Sequence, residues 1–582
     1  MKKIFNYKIQ IIFWLMILVV KISPAQSVDV ENLNKTFNKK NAVKVSGGLN
    51  ANGVWNNSTD QTYRDPYNWY LMGNINFSLF GQINLPFTYT LTNVSHNYQT
   101  PTPPNRIGVH PTYKWIATHI GNVSMTFSPY TLNGHLFTGG GVDLTPKGRF
   151  KISGMYGRLQ KAVEYDKNNV ASLPAYQRMG YGSKILYTTA NNKVALGVTV
   201  FGATDKLNSL VNKPDSVNIL PQKNLVTSFN TVLKPIANVE LIAEYAMSAL
   251  TKDIRDTSEV NTKATNLMSK VIQQQNSTAY YKALKTQANL HIKSATIGIG
   301  YERIDPGYKT LGAYFFANDL ENVTINFAKQ FLKNKISFSS NVGLQRDNLD
   351  DSKSANNKRY VFAGNLGFNP SQRISVNANY SNFQTYMNIK PLFQSVNQTN
   401  QFQNFDTLNY VQLAQNANLN LNFVVQQSKQ LVQNINLNAS YQDVTAKQGG
   451  KEQTDNNTNF YNGTAAYNIM FVQVGINLIS AFNYSYNILG ATKNTIMGPT
   501  LGITSRLLKK KLMLGLSTSY NQSVSSIVSQ PKSNVINVRF NSTYTFFKNH
   551  NLMLSIMNQN RTVVGKAAAN NVLGNIGYSY TF

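Results

Sequence analysis

The chain has 582 residues, only 14% of them charged, no cysteine and a formal net charge of +30. Soluble proteins carry about 25% charged residues, yet a mean hydropathy of −0.28 shows that apolar residues do not replace the missing charge. Asn, Gln, Ser, Thr, Gly and Tyr replace it instead. The lack of cysteine excludes disulfide scaffolds, thiol nucleophiles, zinc ribbons and the lipid-bearing cysteine of a lipoprotein.

The N-terminus has the pattern of a secretory signal peptide. Lys2, Lys3 and Lys8 precede an apolar stretch at residues 9–20, and small residues end at Ala25. That stretch is too short for a spanning helix, which needs about 20 residues, although a short anchor is the alternative. We predict cleavage near Ala25, which removes four lysines and no acid, so that the mature charge is 30 − 4 = +26. Residues 26–42 are then a short periplasmic segment.

From residue 43 onward the chain alternates apolar and polar residues with a period of two. In residues 536–546, one face carries Ile536, Val538 and Phe540, and the other carries Asn537 and Asn541. This period is typical of strands, whose successive side chains point to opposite faces. A soluble antiparallel sheet would also alternate. However, many segments are 11–14 residues long, their polar faces hold Asn, Ser, Thr and Gly, and aromatic residues stand at their ends, which favours a membrane barrel.

We therefore predict an all-β fold: one transmembrane antiparallel β-barrel over residues 43–582, with about 24 strands and a range of 22–26. Short basic turns alternate with long connections, as in outer-membrane barrels, with the short turns on the periplasmic side. One long connection, residues 129–147, falls on the short-turn side. It either folds into the lumen and narrows it, or contains a further strand near residues 135–144, which would give 26 strands.

The last ten residues carry a resemblance. They read Leu-Gly-Asn-Ile-Gly-Tyr-Ser-Tyr-Thr-Phe, and Asn575, Gly577, Tyr580 and Phe582 match the C-terminal β-signal of bacterial outer-membrane proteins position by position. The resemblance implies porin-like proteins that the barrel-assembly machinery inserts into the outer membrane. The Asn-rich, cysteine-free composition is similar to that of barrels from the Bacteroidota.

No pattern of catalytic or metal-binding residues emerges from the sequence. The six histidines are scattered without metal-ligand spacing, and neither a nucleophile elbow nor a phosphate loop is present. Only about 17 residues separate the cleavage site from the first strand, too few for the plug domain of a TonB-dependent receptor. We expect no catalytic residue, no metal and no cofactor.

Alternation places a set of charged side chains inside the predicted barrel. We expect Glu240, Lys285 and Glu302 to lie at nearly the same height, as a solute-selecting constriction or a structural salt-bridge ladder. Other inward bases would make the lumen positive and favour anions. The candidates for lining the lumen are Glu240, Glu244, Lys285, His291, Glu302, Arg149, Lys151, Lys184 and Arg539.

These features predict a non-enzymatic channel that passes small, possibly anionic, solutes with little selectivity. The alternatives are an accessory or scaffold barrel for exporting or anchoring surface proteins, with a protein partner, and a barrel enzyme with its site at the loop rim. Loop 249–276 has a helical pattern and forms an external cap, a gate that folds into the pore, or simply a helix that packs on neighbouring loops. The bases form no single patch, so we expect outer-membrane lipid and lipopolysaccharide, and not nucleic acid, to balance the charge.

Overall fold

The structure is a computed structural model of the whole chain. It describes residues 43–59, 66–93, 104–167, 174–211, 219–256, 274–314, 316–352, 358–382, 385–388, 410–444, 447–448, 451–452, 458–527 and 532–582. The predicted signal peptide, residues 26–42 and the helical pattern within 249–276 lie outside these residues. Within the described residues, no helix is long and apolar enough to cross a membrane.

Apart from a short 3-10 helix at Leu207–Ser209, the described elements are strands. They are β1 (Val43–Ser58), β2 (Tyr67–Leu79), β3 (Ile83–Thr92), β4 (Arg106–Val109), β5 (Thr112–Tyr113), β6 (Ile116–Thr126), β7 (Asn133–Leu144), β8 (Phe150–Gln160), β9 (Arg178–Thr188), β10 (Val194–Asp205), β11 (Lys223–Leu233), β12 (Val239–Thr251), β13 (Thr278–Ile292), β14 (Ala295–Ile304), β15 (Leu320–Phe331), β16 (Ile336–Arg346), β17 (Lys358–Ser371), β18 (Ile374–Ser381), β19 (Thr385–Asn388), β20 (Tyr410–Gln427), β21 (Leu431–Val444), β22 (Lys447–Gln448), β23 (Lys451–Glu452), β24 (Thr458–Phe471), β25 (Ile476–Leu489), β26 (Thr492–Leu507), β27 (Leu512–Ser525), β28 (Ser533–Thr545), β29 (His550–Val563) and β30 (Ala569–Thr581).

The strands form one closed antiparallel barrel. Each strand pairs with its neighbours along the chain, and β1 pairs with β30 to close the sheet. At this closure, Gly47 and Phe582 exchange two backbone hydrogen bonds of 2.9 and 3.0 Å. The segments β4 and β5 make up one interrupted strand, as do β18 and β19, whereas β22 and β23 pair only with each other. The wall therefore has 26 strands, and the expected number of about 24 was too low.

The two strands missing from the sequence count are the β4–β5 strand and β7. The first is interrupted at His110 and Pro111, and proline cannot donate to the sheet ladder. The second contains Gly139, Gly140 and Gly141, and glycine is depleted in strands. Here the close packing requires glycine at position 139, where a Cβ would lie 2.2 Å from the backbone oxygen of Tyr156, while a Cβ at Gly141 would displace the sulfur of Met125. Residues 129–147 thus do contain the further strand that was one of the two predictions for them.

With these two strands included, short turns and longer connections alternate along the chain, except that residues 490–491 form a two-residue turn at the end where the longer connections lie. Connections such as 80–82, 293–294 and 332–335 meet at one end of the barrel, called the short-turn end here. Residues 145–149 now join that end. Connections such as 93–105, 305–319 and 347–357 meet at the opposite, long-loop end, and residues 127–132 join them.

The wall has an apolar outer face and a different inner face, as the period of two predicts. On β10, Leu196, Val198 and Val200 are exposed large apolar side chains, while the alternate residues Thr199 and Phe201 are fully buried. Exposed apolar side chains on one face are what hydrocarbon requires, and the closed ladder pairs the backbone groups. The buried residues therefore point into the lumen.

Candidate functional site: the barrel lumen

Two connections from the long-loop end fold back into the lumen. They are the inward turn, residues 127–132 between β6 and β7, and the inward loop, residues 305–319 between β14 and β15, of which residue 315 is outside the described part. The hydroxyl of Tyr308 donates to the carbonyl of Tyr130 at 2.9 Å, and the hydroxyl of Thr310 donates to the carbonyl of Thr131 at 2.6 Å. The two segments thus form a single inner layer.

This inner layer packs against inward side chains of the wall. Phe201 from β10 lies in one buried apolar cluster with Leu132 from the inward turn and Leu311 from the inward loop. Gly312 lies so close to the Phe201 ring that a Cβ there would be 2.7 Å from it. A second cluster surrounds Tyr130 and Tyr308 and includes inward residues of β11 to β15. One side of the lumen is therefore filled like a protein interior.

Polar side chains of the wall hold the inward loop in place. The side-chain oxygen of Asn224 accepts from the backbone N–H of Leu311 at 3.1 Å, and the Ser248 hydroxyl donates to the carbonyl of Lys309 at 2.7 Å. The Lys309 ammonium donates to the side chain of Gln222 at 3.0 Å. Burial lowers the pKa of Lys309 below its ordinary value, and the nearby Arg178 lowers it further.

Three charged side chains lie side by side on neighbouring strands of the lumen wall, as expected, but the first of them is Glu244 and not Glu240. In the register, Glu244 on β12 lies opposite Lys285 on β13, and Lys285 lies opposite Glu302 on β14. Glu240 lies four residues closer to the short-turn end, where it pairs in register with Asn289. Sequence counting had chosen Glu240 because loop lengths, unlike hydrogen-bond register, do not fix relative strand height.

Both carboxylates of the row are hydrogen-bonded. The Tyr130 hydroxyl donates to Glu302 at 2.5 Å, and the Ser228 hydroxyl donates to Glu244 at 2.5 Å. Burial raises the pKa of Tyr130 above its ordinary 10.0, and the negative charge of Glu302 raises it further. Glu302 therefore connects the wall to the inward turn. Beside it lies a cavity of about 180 Å³, lined by Lys285, Gln287, Asn326 and Asn341 among others.

The other predicted lumen residues do not gather at this row. Glu240 lies 3.1 Å from the Lys234 ammonium and 4.0 Å from His291. The Lys184 ammonium donates to the carbonyl of Phe127 at 2.5 Å and so supports the inward turn. Exposed Arg149 and Lys151 lie at the short-turn end, and Arg539, on the far side of the barrel, donates to the sulfur of Met557 at 3.6 Å.

Two polar groups of the packed side were missed by sequence reasoning. Arg178 and buried Asp205 form a two-bond ion pair of 2.7 and 2.9 Å across β9 and β10. The second group is a chain of hydrogen bonds on β6 to β8, in which Asp143 lies 2.9 Å from His119 and accepts from Ser153 at 2.5 Å. Alternation along β9 and β10 places Arg178 and Asp205 on inward faces, and it does the same for Asp143 once β7 is counted as a strand.

The Ser153 chain does not have the geometry of a nucleophilic site. A second histidine, His110, extends this chain, because its Nδ1 lies 2.9 Å from the Nδ1 of His119. The Ser153 hydroxyl bonds to the carboxylate, whereas an activated serine must bond to the imidazole that takes its proton. Within the described ranges, no group of three or more His, Asp or Glu side chains could hold a metal ion.

Opposite the packed side, the lumen is lined by what we call the amide wall. It forms a groove of about 280 Å³ to which Ser440, Thr464 and Ser485 also contribute. Its asparagines are Asn377 and Asn379 from β18, Asn418 and Asn420 from β20, Asn438 from β21, Asn462 from β24, Asn483 from β25 and Asn521 from β27. Asn377, Asn379 and Asn438 are exposed. Among the residues that the structure describes, none covers this wall.

The fold resembles those of several large barrels of known structure. The P pilus usher (PapC) translocation pore is 10% identical, with 92% of this chain and 99% of that chain covered and a TM-score of 0.37. The ferric enterobactin receptor of Pseudomonas aeruginosa, in complex with enterobactin, is 9% identical, with 93% and 81% covered and a TM-score of 0.39. OccD1 is 10% identical, with 77% and 96% covered and a TM-score of 0.32.

At these TM-scores, none of the resemblances bears on what this chain does. No protein-family model matches the sequence. No curated protein matches it either. The inferences below therefore rest on the geometry of the barrel and its lumen.

Proposed function

We propose that this protein is an outer-membrane channel that passes small solutes passively along the amide wall. The observation that carries the proposal is the exposure of inward polar side chains there, in a closed barrel whose outer face is apolar. A barrel of this size has a wide lumen unless something fills it. Within the described part of the chain, the inward turn and the inward loop fill one side of the lumen.

Planar-bilayer recording of the purified protein tests this proposal. We expect stable open current steps, because a water-filled passage remains beside the packed inner layer. Persistent silence of protein that is correctly folded, shown by its heat-dependent shift in gel mobility, would overturn the channel.

A weak preference for anions is the finer part of the proposal. It rests on Arg149 and Lys151 at the short-turn end and on Arg539 within the lumen. Lys285 adds little, because Glu244 and Glu302 flank it in register. The reversal potential in a salt gradient measures this preference, and a reversal potential of the cation-selective sign would contradict it.

The packed side of the lumen favours a second candidate, the accessory or scaffold barrel. A channel needs no inner layer on one side, whereas a barrel that carries a partner could use one as a rigid support. The combination of electrical silence and a stoichiometric protein partner that co-purifies would support the scaffold over the channel.

Membrane insertion through the C-terminal β-signal is a further part of the proposal. The Tyr580 ring stacks on His550 with 4.2 Å between ring centroids and on Phe582 with 5.2 Å, while Phe582 bonds to Gly47 through its backbone. Phe582→Ala therefore keeps the backbone bonds of the closure while removing one stacked ring, which is also the ring that the assembly machinery would read. We expect many fewer barrels in the outer membrane for this variant, with only a small loss of stability in those that form, as measured by gel shift of membrane fractions.

A further inference from the structure

We propose that the amide wall is a binding site for a neutral, hydroxyl-rich chain, namely a linear oligosaccharide, on the conduction path. This inference rests on the channel proposed above and names the solute class of that channel. It departs from the anion preference, which concerns charges elsewhere in the lumen.

The chemistry of the lining selects an uncharged ligand. None of the side chains that line the groove is charged. Each asparagine offers two N–H donors and a carbonyl oxygen with two lone pairs, and each hydroxyl both donates and accepts. A sugar hydroxyl also does both, so it can pair with any of these groups. A carboxylate, which only accepts, would lose its hydration here without gaining an opposite charge.

The amides are already oriented by bonds among themselves. Asn418 donates to Asn379 at 3.0 Å, and Ser485 donates to Asn462 at 2.7 Å. Thr464 donates to Asn483 at 3.0 Å. Such a bond uses only part of the capacity of an amide. The wall therefore presents a fixed array of donors and acceptors, and binding does not have to order flexible side chains, which would weaken it.

The extent of the groove matches an extended ligand. Its lining runs without a gap along the barrel wall from β18 to β25, a path of four steps between neighbouring strands, and Asn521 of β27 adds a further amide beyond β26. At about 4.8 Å for each step, the continuous part of the groove is roughly 19 Å long. A single small solute would occupy only a fraction of this length, whereas a chain of several sugar units would contact amides from one end to the other.

Block of the ion current by maltohexaose tests the site. We expect reversible, saturable interruptions of the current by maltohexaose and none by hexagalacturonate, a charged chain of the same length. In the double variant Asn420→Ala/Asn438→Ala, which removes two neighbouring amides, half-block should require roughly fivefold to tenfold more maltohexaose, because two hydrogen bonds are lost. Asn541→Ala is the matched control. It removes an asparagine on β28 outside the groove and should leave the block unchanged.

Calorimetry with maltohexaose separates failure of the site from failure of the channel. Heat of binding without any current would support the site and overturn the channel. Current with neither block nor heat would overturn the site and leave the channel standing. Equal block by both chains, or block by an unfolded peptide and not by maltohexaose, would also overturn the oligosaccharide site.

Discussion

The two sides of the lumen share one pattern of alternation but differ in what their inward side chains contact. On the packed side, inward residues such as Phe201, Val226 and Ala246 are fully buried beneath the inward turn and loop. On the amide side, Asn377, Asn379 and other inward asparagines face open space. The same strand geometry thus serves as a protein core on one side and as a wetted surface on the other.

Inward side chains thus favour or oppose the entry of a loop into the barrel. Small inward residues leave space in the lumen for a loop. Covering apolar inward residues with a loop stabilises the fold by about 25 cal/mol for each Å² of apolar surface buried. Covering an inward asparagine gives no comparable stabilisation, because its amide would lose its hydrogen bonds to water. Stability should therefore be concentrated on the packed side, and conduction on the amide side.

The largest effect should come from Phe201→Ala. This substitution removes a fully buried ring that contacts the inward loop, and such changes in a core cost about 3–5 kcal/mol. We expect a lower free energy of unfolding in urea and a larger, noisier bilayer current as the inner layer loosens. Phe423→Ala is the control, because that ring is exposed on the outer face of β20, a strand that belongs to the amide side of the barrel. Equal losses in the two variants would contradict the proposed concentration of stability.

Tyr130→Phe should have the next largest effect. It keeps the ring in its cluster but removes the hydroxyl that donates to Glu302. Loss of one partner of a part-buried carboxylate costs about 1–3 kcal/mol, and urea unfolding measures it. The same substitution at exposed Tyr484, on the amide side, should leave stability unchanged. An unchanged free energy of unfolding in Tyr130→Phe would mean that Glu302 does not hold the inward turn.

Alkaline pH should loosen the packed side selectively. Burial raises the pKa of both Tyr130 and Tyr308 above 10.0, with further contributions from the charges of Glu302 and Glu244. A raised pKa means that the packed state holds the proton more tightly. The stabilising effect of the two protonated hydroxyls is therefore complete below pH 10.0, the ordinary pKa that applies in the unfolded chain, and is lost as the pH rises above that value.

Unfolding measured at about pH 9 and about pH 11, either side of the ordinary tyrosine pKa, checks this expectation. The wild-type barrel should lose more stability between the two than the Tyr130→Phe/Tyr308→Phe variant does. A loss of the same size in both would assign the alkaline transition to other groups.

The smallest effect should come from Asn462→Ala on the amide side. Its amide bonds to Ser440 at 3.4 Å and Ser485 at 2.7 Å, in contact with the open lumen. Water can replace these bonds, so we expect a change of less than about 0.5 kcal/mol in the free energy of unfolding. A loss as large as that of Tyr130→Phe would show that the amide ladder supports the barrel.

Much of the fold could be predicted from the sequence because the apolar and polar period acts locally. The alternation around Ile536 and Asn537 assigns each to a face of its strand without knowledge of the strands that pair with it. The closed antiparallel barrel follows from the length and number of such alternating segments. The missed strands show the limit of this reasoning. The triple glycine of β7 has no strand propensity of its own, and only the close packing of Met125 and Tyr156 explains it.

The local pattern of residues is enough to specify a barrel with an apolar outer face and an Asn-rich inner face, since both properties depend on adjacent residues. The 26 strands, the pairing of Lys285 with Glu244 and Glu302, and the inward course of residues 127–132 and 305–319 emerge only from the folded chain. These features depend on contacts such as Tyr130 with Glu302, which join residues 172 positions apart. A pattern of neighbouring residues contains no information about which distant segment will fill a lumen.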